Sequence, residues 1–251
     1  MIDLHGRRAL VTGGSRGIGA ATATMLAECG ADVAIGYRSR RVDAEQVVER
    51  LRAMGVRAIA HASDIGTRAG AESLVDATVA AFGGLDIFVA NAGIWPPEDA
   101  ALAEMTEARW RRTMVENLDS IFHTTGAAVR AMDDGGRVVL VASTAGQRGE
   151  SFHADYAATK GAVISITKSL VNELAPRGIT VNCVAPGWVD TEMCDIPYAD
   201  GGRDRIARNI PIGRVASPED IAGPIVFLCS AQARHITGEI LNVNGGSVLV
   251  G

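Results

Sequence analysis

No stretch of this sequence stays apolar for the ~20 residues that a membrane-crossing helix requires. The opening "MIDLHGRR" runs directly into an apolar strand, without the extended core of a secretion signal. Cysteine is scarce: Cys29, Cys183, Cys194 and Cys229 form no CxxC pair and stand mostly among apolar residues. That spacing favours buried free thiols in a reducing compartment over disulfides or zinc ligands; no metal site is read. Positive charge is not in surplus either. The formal net charge is −5, with arginines scattered among carboxylates, so a nucleic-acid footprint is not expected. No repeat of fixed period and no low-complexity linker divides the chain, which reads as one domain over 1–251 of a soluble cytoplasmic protein.

What is present is an alternation. Short runs rich in β-formers precede longer runs of helical period: "RALVT" before "GIGAATATMLAECG", "DVAIGY" before "AEQVVERLRAMG", and "RAIAHAS" before "GAESLVDATVAAFG". The series continues through "LDIFVAN", "RVVLVAS", "TVNCVAP" and "EILNVNGG". The pattern predicts an α/β fold, a doubly wound Rossmann-like sheet of seven mainly parallel strands with helices on both faces. A hydrophobic content of 47% and 29 glycines suit such a core with many tight turns. The polar "DIPYADGGRDR", Asp195 to Arg205, reads as part of a mobile substrate loop near 191–213.

Ligands of such sheets bind beyond the carboxyl ends of the strands, so those ends hold the chemistry. After the first strand comes "TGGSRGIG", in which Gly13, Gly17 and Gly19 precede a helical run. Glycine permits close backbone approach, and a helix N-terminus offers free N–H groups to a pyrophosphate. A purely structural turn would use glycine for the same reasons. The spacing is not GxGxxG. At the second strand end, "IGYRS" has Arg38 and no carboxylate, a choice that favours the 2′-phosphate of NADP over the free hydroxyl of NAD. Arg16 offers a second cation, unless both arginines are simply solvated.

With "NAG" at Asn91 to Gly93, Ser143 placed 13 residues before Tyr156, and Lys160 one helical turn beyond it, the chain resembles the short-chain dehydrogenase/reductase family over nearly its full length. "PGWVDT", Pro186 to Thr191, and the final "ITGEILNVNGG" are similar to family segments; Ala90 departs where many relatives have a second asparagine. The resemblance implies catalytic Asn117, Ser143, Tyr156 and Lys160. It implies a cofactor channel of Gly13, Ser15, Arg16, Gly17, Ile18 and Gly19 at the turn and Arg38 and Ser39 at the second strand. Asp64 and Ile65 would hold the adenine end, with Asn91, Ala92 and Gly93 along the channel. Pro186, Gly187, Val189 and Thr191 would lie toward the nicotinamide, where Tyr156 and Lys160 also touch the cofactor.

A phenol with pKa ~10 is a poor base near neutrality, and an ammonium four residues on shares its helix face, so Lys160 is expected to favour the phenolate. By resemblance Tyr156 exchanges a proton with the substrate oxygen, Ser143 polarises it, and Asn117 holds a relay water. His153 is an alternative acid, or a pocket-lining or exposed residue. The helix face from Ala157 through Val163, Ile166, Leu170 and Leu174 suits core packing or, as in the family, a homotetramer.

Within the family, "ITKSLVNELAPRGITVNCVAPG" is most similar to bacterial 3-oxoacyl-carrier-protein reductases. Arg177 stands where such an enzyme meets an acidic acyl carrier protein, but Asp133 and Asp134, just before the fifth strand, oppose that docking. Ile94, Trp95, Phe152 and Met193 are candidate substrate contacts and suggest an apolar substrate. The alternatives are a reductase of free small ketones, sugars, steroids or secondary alcohols, and a catalytically silent nucleotide-binding regulator.

Overall fold

The computed structural model describes residues 2–249. Arg8–Thr12 (β1) leads into Gly17–Glu28 (α1), Asp32–Tyr37 (β2) into Arg41–Ala53 (α2), and Ala58–Ala62 (β3) into Arg68–Phe82 (α3). Leu85–Ala90 (β4) is followed by Glu107–Met114 (α4), a π-helical turn at Val115–Asp119, and Ser120–Ala131 (α5). Met132–Val141 (β5), Thr144–Arg148 (α6), Ala154–Leu174 (α7) and Thr180–Pro186 (β6) come next. The chain closes with Asp195–Tyr198 (α8), Gly202–Arg208 (α9), Pro218–Leu228 (α10) and Ile240–Val243 (β7).

The seven strands form one sheet in the order β3-β2-β1-β4-β5-β6-β7, and every pairing is parallel. Parallel sheets bury both faces, which explains why β4 and β6 are buried at every position and read as unbroken apolar runs. Alternate residues of β1 enter different cores. Val11 packs with Leu26, Val47, Leu51, Ile221 and Ile225 from α1, α2 and α10. Leu10 packs with Leu74, Phe82, Ile121, Val163 and Leu174 from α3, α5 and α7. Strand order reverses between β1 and β4, opening the crevice in which ligands of these sheets bind.

Side chains close several helix starts. Thr67 caps α3 and Thr106 caps α4, while Ser217 and Asp220 form a reciprocal capping box on α10. α1 begins at Arg16 with no side-chain cap, leaving its first N–H groups facing the crevice. No helix among the described residues is long and apolar enough to cross a membrane. The four cysteines are free, with Cys183 and Cys229 buried.

One expectation changes in detail. β5 begins at Met132, so Asp133 and Asp134 lie within the strand and not before it. The 191–213 segment, expected as a mobile substrate loop, carries a 3-10 turn at Glu192–Cys194, α8 and α9. Its glycines and charges suggest a loop, yet Gly201 supplies the left-handed residue that starts α9. The Tyr198 hydroxyl donates to the Val189 carbonyl at 3.0 Å, and Arg203 pairs with Asp190 at 2.8 Å, holding the helices down.

Candidate active site

A cavity of about 570 Å³ runs along the carboxyl ends of β1 to β6. The glycine turn forms its floor. Gly13 and Gly17 have positive φ, 65° and 52°, and a Cβ on Gly19 would stand 2.2 Å from the Gly13 carbonyl oxygen. Only a chain without side chains at these points leaves the backbone open to a pyrophosphate beside the uncapped α1. Asn91 braces the turn by donating through Nδ2 to the Thr12 carbonyl at 3.1 Å and the Gly13 carbonyl at 3.3 Å. This cradle fits a dinucleotide.

Most residues expected in the channel line this cavity. Gly13, Ser15, Arg16, Gly17 and Ile18 lie at the turn, with Arg38, Ser39, Asp64 and Ile65 toward one end. Asn91, Ala92 and Gly93 follow β4, and Pro186, Gly187, Val189 and Thr191 follow β6. Gly19 is buried within the first turn of α1 beneath them. At the other end Ser143, Tyr156, Lys160, Ile94, Trp95 and Met193 meet.

Phe152 does not join them. Its side chain is 53% exposed and its backbone is held at a φ of 64°, because the Phe152 carbonyl accepts from Ala100 N–H at 3.1 Å and from Arg109 at 3.4 Å. His153 is neither exposed nor in the cavity. It is buried, stacked on the Trp95 ring with centroids 4.5 Å apart. Sequence reading also missed Glu116, Arg40, Glu150, Trp188 and Glu192, all of which line the cavity. Trp188 stands inside the "PGWVDT" segment and was open to notice; the others reach the site from surface-like polar stretches that give no periodic signal.

Ser143 caps α6, its oxygen accepting from Ala145 N–H at 3.1 Å, which fixes the side chain at the mouth of β5. Lys160 is buried and donates to the Val141 carbonyl at 2.9 Å; its Nζ lies 5.7 Å from the centre of the Tyr156 ring. Burial pushes the Lys160 ammonium down to about 8. Burial pushes the Tyr156 phenol upward, while the neighbouring Ser143 side chain pulls it back in part and Glu150 adds to the rise. The Lys160 ammonium gives one of its three N–H donors to the Val141 carbonyl, and the lowering of the Tyr156 phenol expected from this neighbour is opposed by desolvation of the phenol.

Asn117 is buried in the π-helical turn, behind the cavity wall. Its Oδ1 accepts from Ile94 N–H at 2.7 Å, and its Nδ2 donates to the Ile94 carbonyl at 2.9 Å and to Thr159 Oγ1 at 3.3 Å. A Cβ on Gly93 would lie 3.0 Å from Asn117 Oδ1 and 3.6 Å from Lys160 Nζ, so both side chains converge behind Gly93.

Arg177 is not available as a free cation. It pairs with Asp134 at 3.0 Å and donates to the carbonyls of Val129 and Met132, while Asp133 pairs with Arg8 at 2.6 Å.

A family model described as enoyl-(acyl carrier protein) reductase matches residues 13–247. A 3-oxoacyl-(acyl-carrier-protein) reductase of Vibrio cholerae is 41% identical over 251 residues, covering 99% of this chain and 100% of its own. An uncharacterized oxidoreductase of Methylorubrum extorquens is 41% identical over 248 residues, covering 98% of this chain and 99% of its own. Among solved structures, a short-chain dehydrogenase from Burkholderia cenocepacia in complex with NADP superposes with a TM-score of 0.90 at 40% identity, over 97% of this chain and 98% of that one.

Proposed function

The chain belongs to the short-chain dehydrogenase/reductase family, and from that premise we propose that it reduces a ketone with NADPH, with a 3-oxoacyl thioester as the substrate class. The observation that carries the reading is the convergence of Ser143, Tyr156 and Lys160 at one end of a cavity whose floor is the glycine cradle. The family fixes the chemistry as oxidoreduction with a nicotinamide; the NADP-bound relative and the cations Arg16 and Arg38 support NADPH over NADH. The similarity to 3-oxoacyl reductases supports the thioester.

When bound, the dinucleotide supplies the hydride that reduces the carbonyl carbon. The remaining work belongs to the chain. Ser143 positions the carbonyl oxygen, and Tyr156 transfers its phenolic proton to that oxygen as the alcohol forms. Reduction uses the acid form of Tyr156, the form a phenol holds near neutrality, and oxidation of an alcohol would use the phenolate as base. Lys160 holds the ribose hydroxyls and returns a proton toward Tyr156. Asn117 fixes the Ile94 backbone beside Lys160, and a relay water would use the second lone pair of the Ile94 carbonyl. Ile94, Trp95 and Met193 border the substrate, with segment 191–213 closing over it. A homotetramer is the proposed assembly.

The substrate is proposed to arrive free and not on a carrier protein, because Arg177 is bound up with Asp134 and Arg8 with Asp133, which leaves neither arginine free to attract an acidic carrier. The test compares NADPH oxidation with a 3-oxoacyl carrier protein, the matching small thioester, an enoyl thioester, cyclic ketones and reducing sugars. The small thioester should match the carrier-linked form, with little effect of salt on kcat/KM. A large carrier-specific gain that collapses with salt would overturn the free-substrate reading. Turnover confined to the enoyl thioester, sugars or cyclic ketones would overturn the 3-oxoacyl assignment.

A further inference from the structure

We propose that Glu116 is a specificity-determining residue for the dinucleotide: its carboxylate competes with a ribose 2′-phosphate for Arg38 and so restrains the preference for NADPH. The inference rests on the proposed dinucleotide site and concerns only how that site discriminates.

β2 ends without the carboxylate that would hold a free ribose 2′-hydroxyl. The fold brings one there from another element. Glu116 lies 78 residues from Arg38 in sequence, lines the same cavity, and is ion-paired with it through Oε1 and Nη1. The carboxylate is the more sheltered partner, with its side chain 24% exposed against 51% for Arg38. Its position is fixed by its backbone. The π-helical turn carries one extra residue per turn, a device that re-aims side chains at functional sites. Asn117, the next residue, is tied to both backbone groups of Ile94, and Ser120 Oγ donates to the Glu116 carbonyl at 2.7 Å. On the other side, the 64–66 loop closes against the turn because Gly66 has no side chain: a Cβ there would stand 2.8 Å from Val115 Cγ1.

The other cations of this end are also shared. Glu192 pairs with Arg16 and, at 2.8 Å, with Arg40, which also reaches Asp43 at 3.4 Å. Asp64 adds a further negative charge near Arg38. Arg38, at the end of β2, is thus the cation whose partner, Glu116, comes from the π-helical turn and lines the same cavity. A 2′-phosphate placed on Arg38 meets the repulsion of that carboxylate, whereas a 2′-hydroxyl meets a hydrogen-bond acceptor. Glu116 therefore penalises NADPH and assists NADH, opposing the effect of the arginine.

The experiment measures Kd for NADPH and NADH by fluorescence titration, and kcat/KM with each, for the wild type, Glu116→Gln and Arg38→Ala. Removing one like charge at a partly exposed site should raise the NADPH-over-NADH affinity ratio by roughly fivefold in Glu116→Gln. Arg38→Ala should lower the same ratio. An unchanged or lowered ratio in Glu116→Gln would overturn the inference, as would equal loss of both cofactors, which is the mark of a structural role next to Asn117. A wild type that binds neither dinucleotide would instead remove the proposed site itself, and this inference with it.

Discussion

At the scale of the residue, the two ionisable groups of the site are displaced in opposite senses by one cause. Burial lowers Lys160 to about 8 and raises Tyr156, because each loses the water that would stabilise its charged form. The alkaline limb of the reduction therefore belongs to Lys160 and not to Tyr156. With rising pH, kcat/KM should fall as pH passes about 8, where the ammonium that holds the ribose is lost while the phenol still has its proton. Stability responds with the opposite sign. An unfolded lysine titrates at ~10.4, so between that value and the folded one the unfolded chain binds more protons, and this group's contribution to stability rises with pH. A pH profile of kcat/KM that stays level well beyond about pH 9 would contradict the assignment. The candidacy of these residues was legible in the sequence from the family resemblance that the glycine turn, "NAG", Ser143 and the Tyr156–Lys160 pair carry together. Their protonation was not, because it depends on burial and on the Val141 carbonyl that takes the Lys160 hydrogen bond.

At the scale of the element, the glycine turn with α1 shows how little tolerance the cofactor end has. A methyl group on Gly19 would approach the Gly13 carbonyl to 2.2 Å and Asn91 Nδ2 to 2.6 Å, and the first of these is backbone that must move. Gly19→Ala should weaken dinucleotide binding by at least about tenfold and lower the melting temperature, since overpacking of this kind costs ~1–3 kcal/mol. Titration with NADPH and thermal unfolding measure both, and unchanged affinity would show that the cradle is not the binding surface. The turn was readable because glycines gathered between a strand and a helix mark a close approach of backbone. The 191–213 segment was not, since α8 and α9 are short, polar helices stabilised by contacts to Val189 and Asp190 rather than by an apolar stripe. The π-helical turn was equally hidden. Its sequence, "VENLD", has nothing that distinguishes it from an ordinary helix, yet this turn sets Glu116 on the cavity wall and Asn117 behind it.

At the scale of the whole molecule, the sheet order explains why residues from six strand ends share one cavity. Parallel strands present all their carboxyl ends on one side, and the reversal between β1 and β4 opens the crevice there. The alternation of β-rich and helical runs makes that architecture legible in the sequence. Long-range pairings of charge are not legible. Arg177 with Asp134, Arg38 with Glu116, and Arg16 with Glu192 join positions whose proximity follows only from the folded topology. Each of these pairings redirects an arginine that a linear reading leaves free for a partner. The central claim is that this fold delivers a proton from Tyr156 to a carbonyl being reduced. The direct measurement sets wild type beside Tyr156→Phe, recording carbonyl-dependent NADPH oxidation, alcohol formation and NADPH affinity on the same preparations. Equal moles of NADPH consumed and alcohol formed are expected of the wild type, with turnover reduced by ~10²–10⁴-fold and affinity nearly unchanged in the variant. A wild type that binds NADPH yet reduces no carbonyl, or a variant that keeps more than roughly a tenth of wild-type kcat, would contradict it.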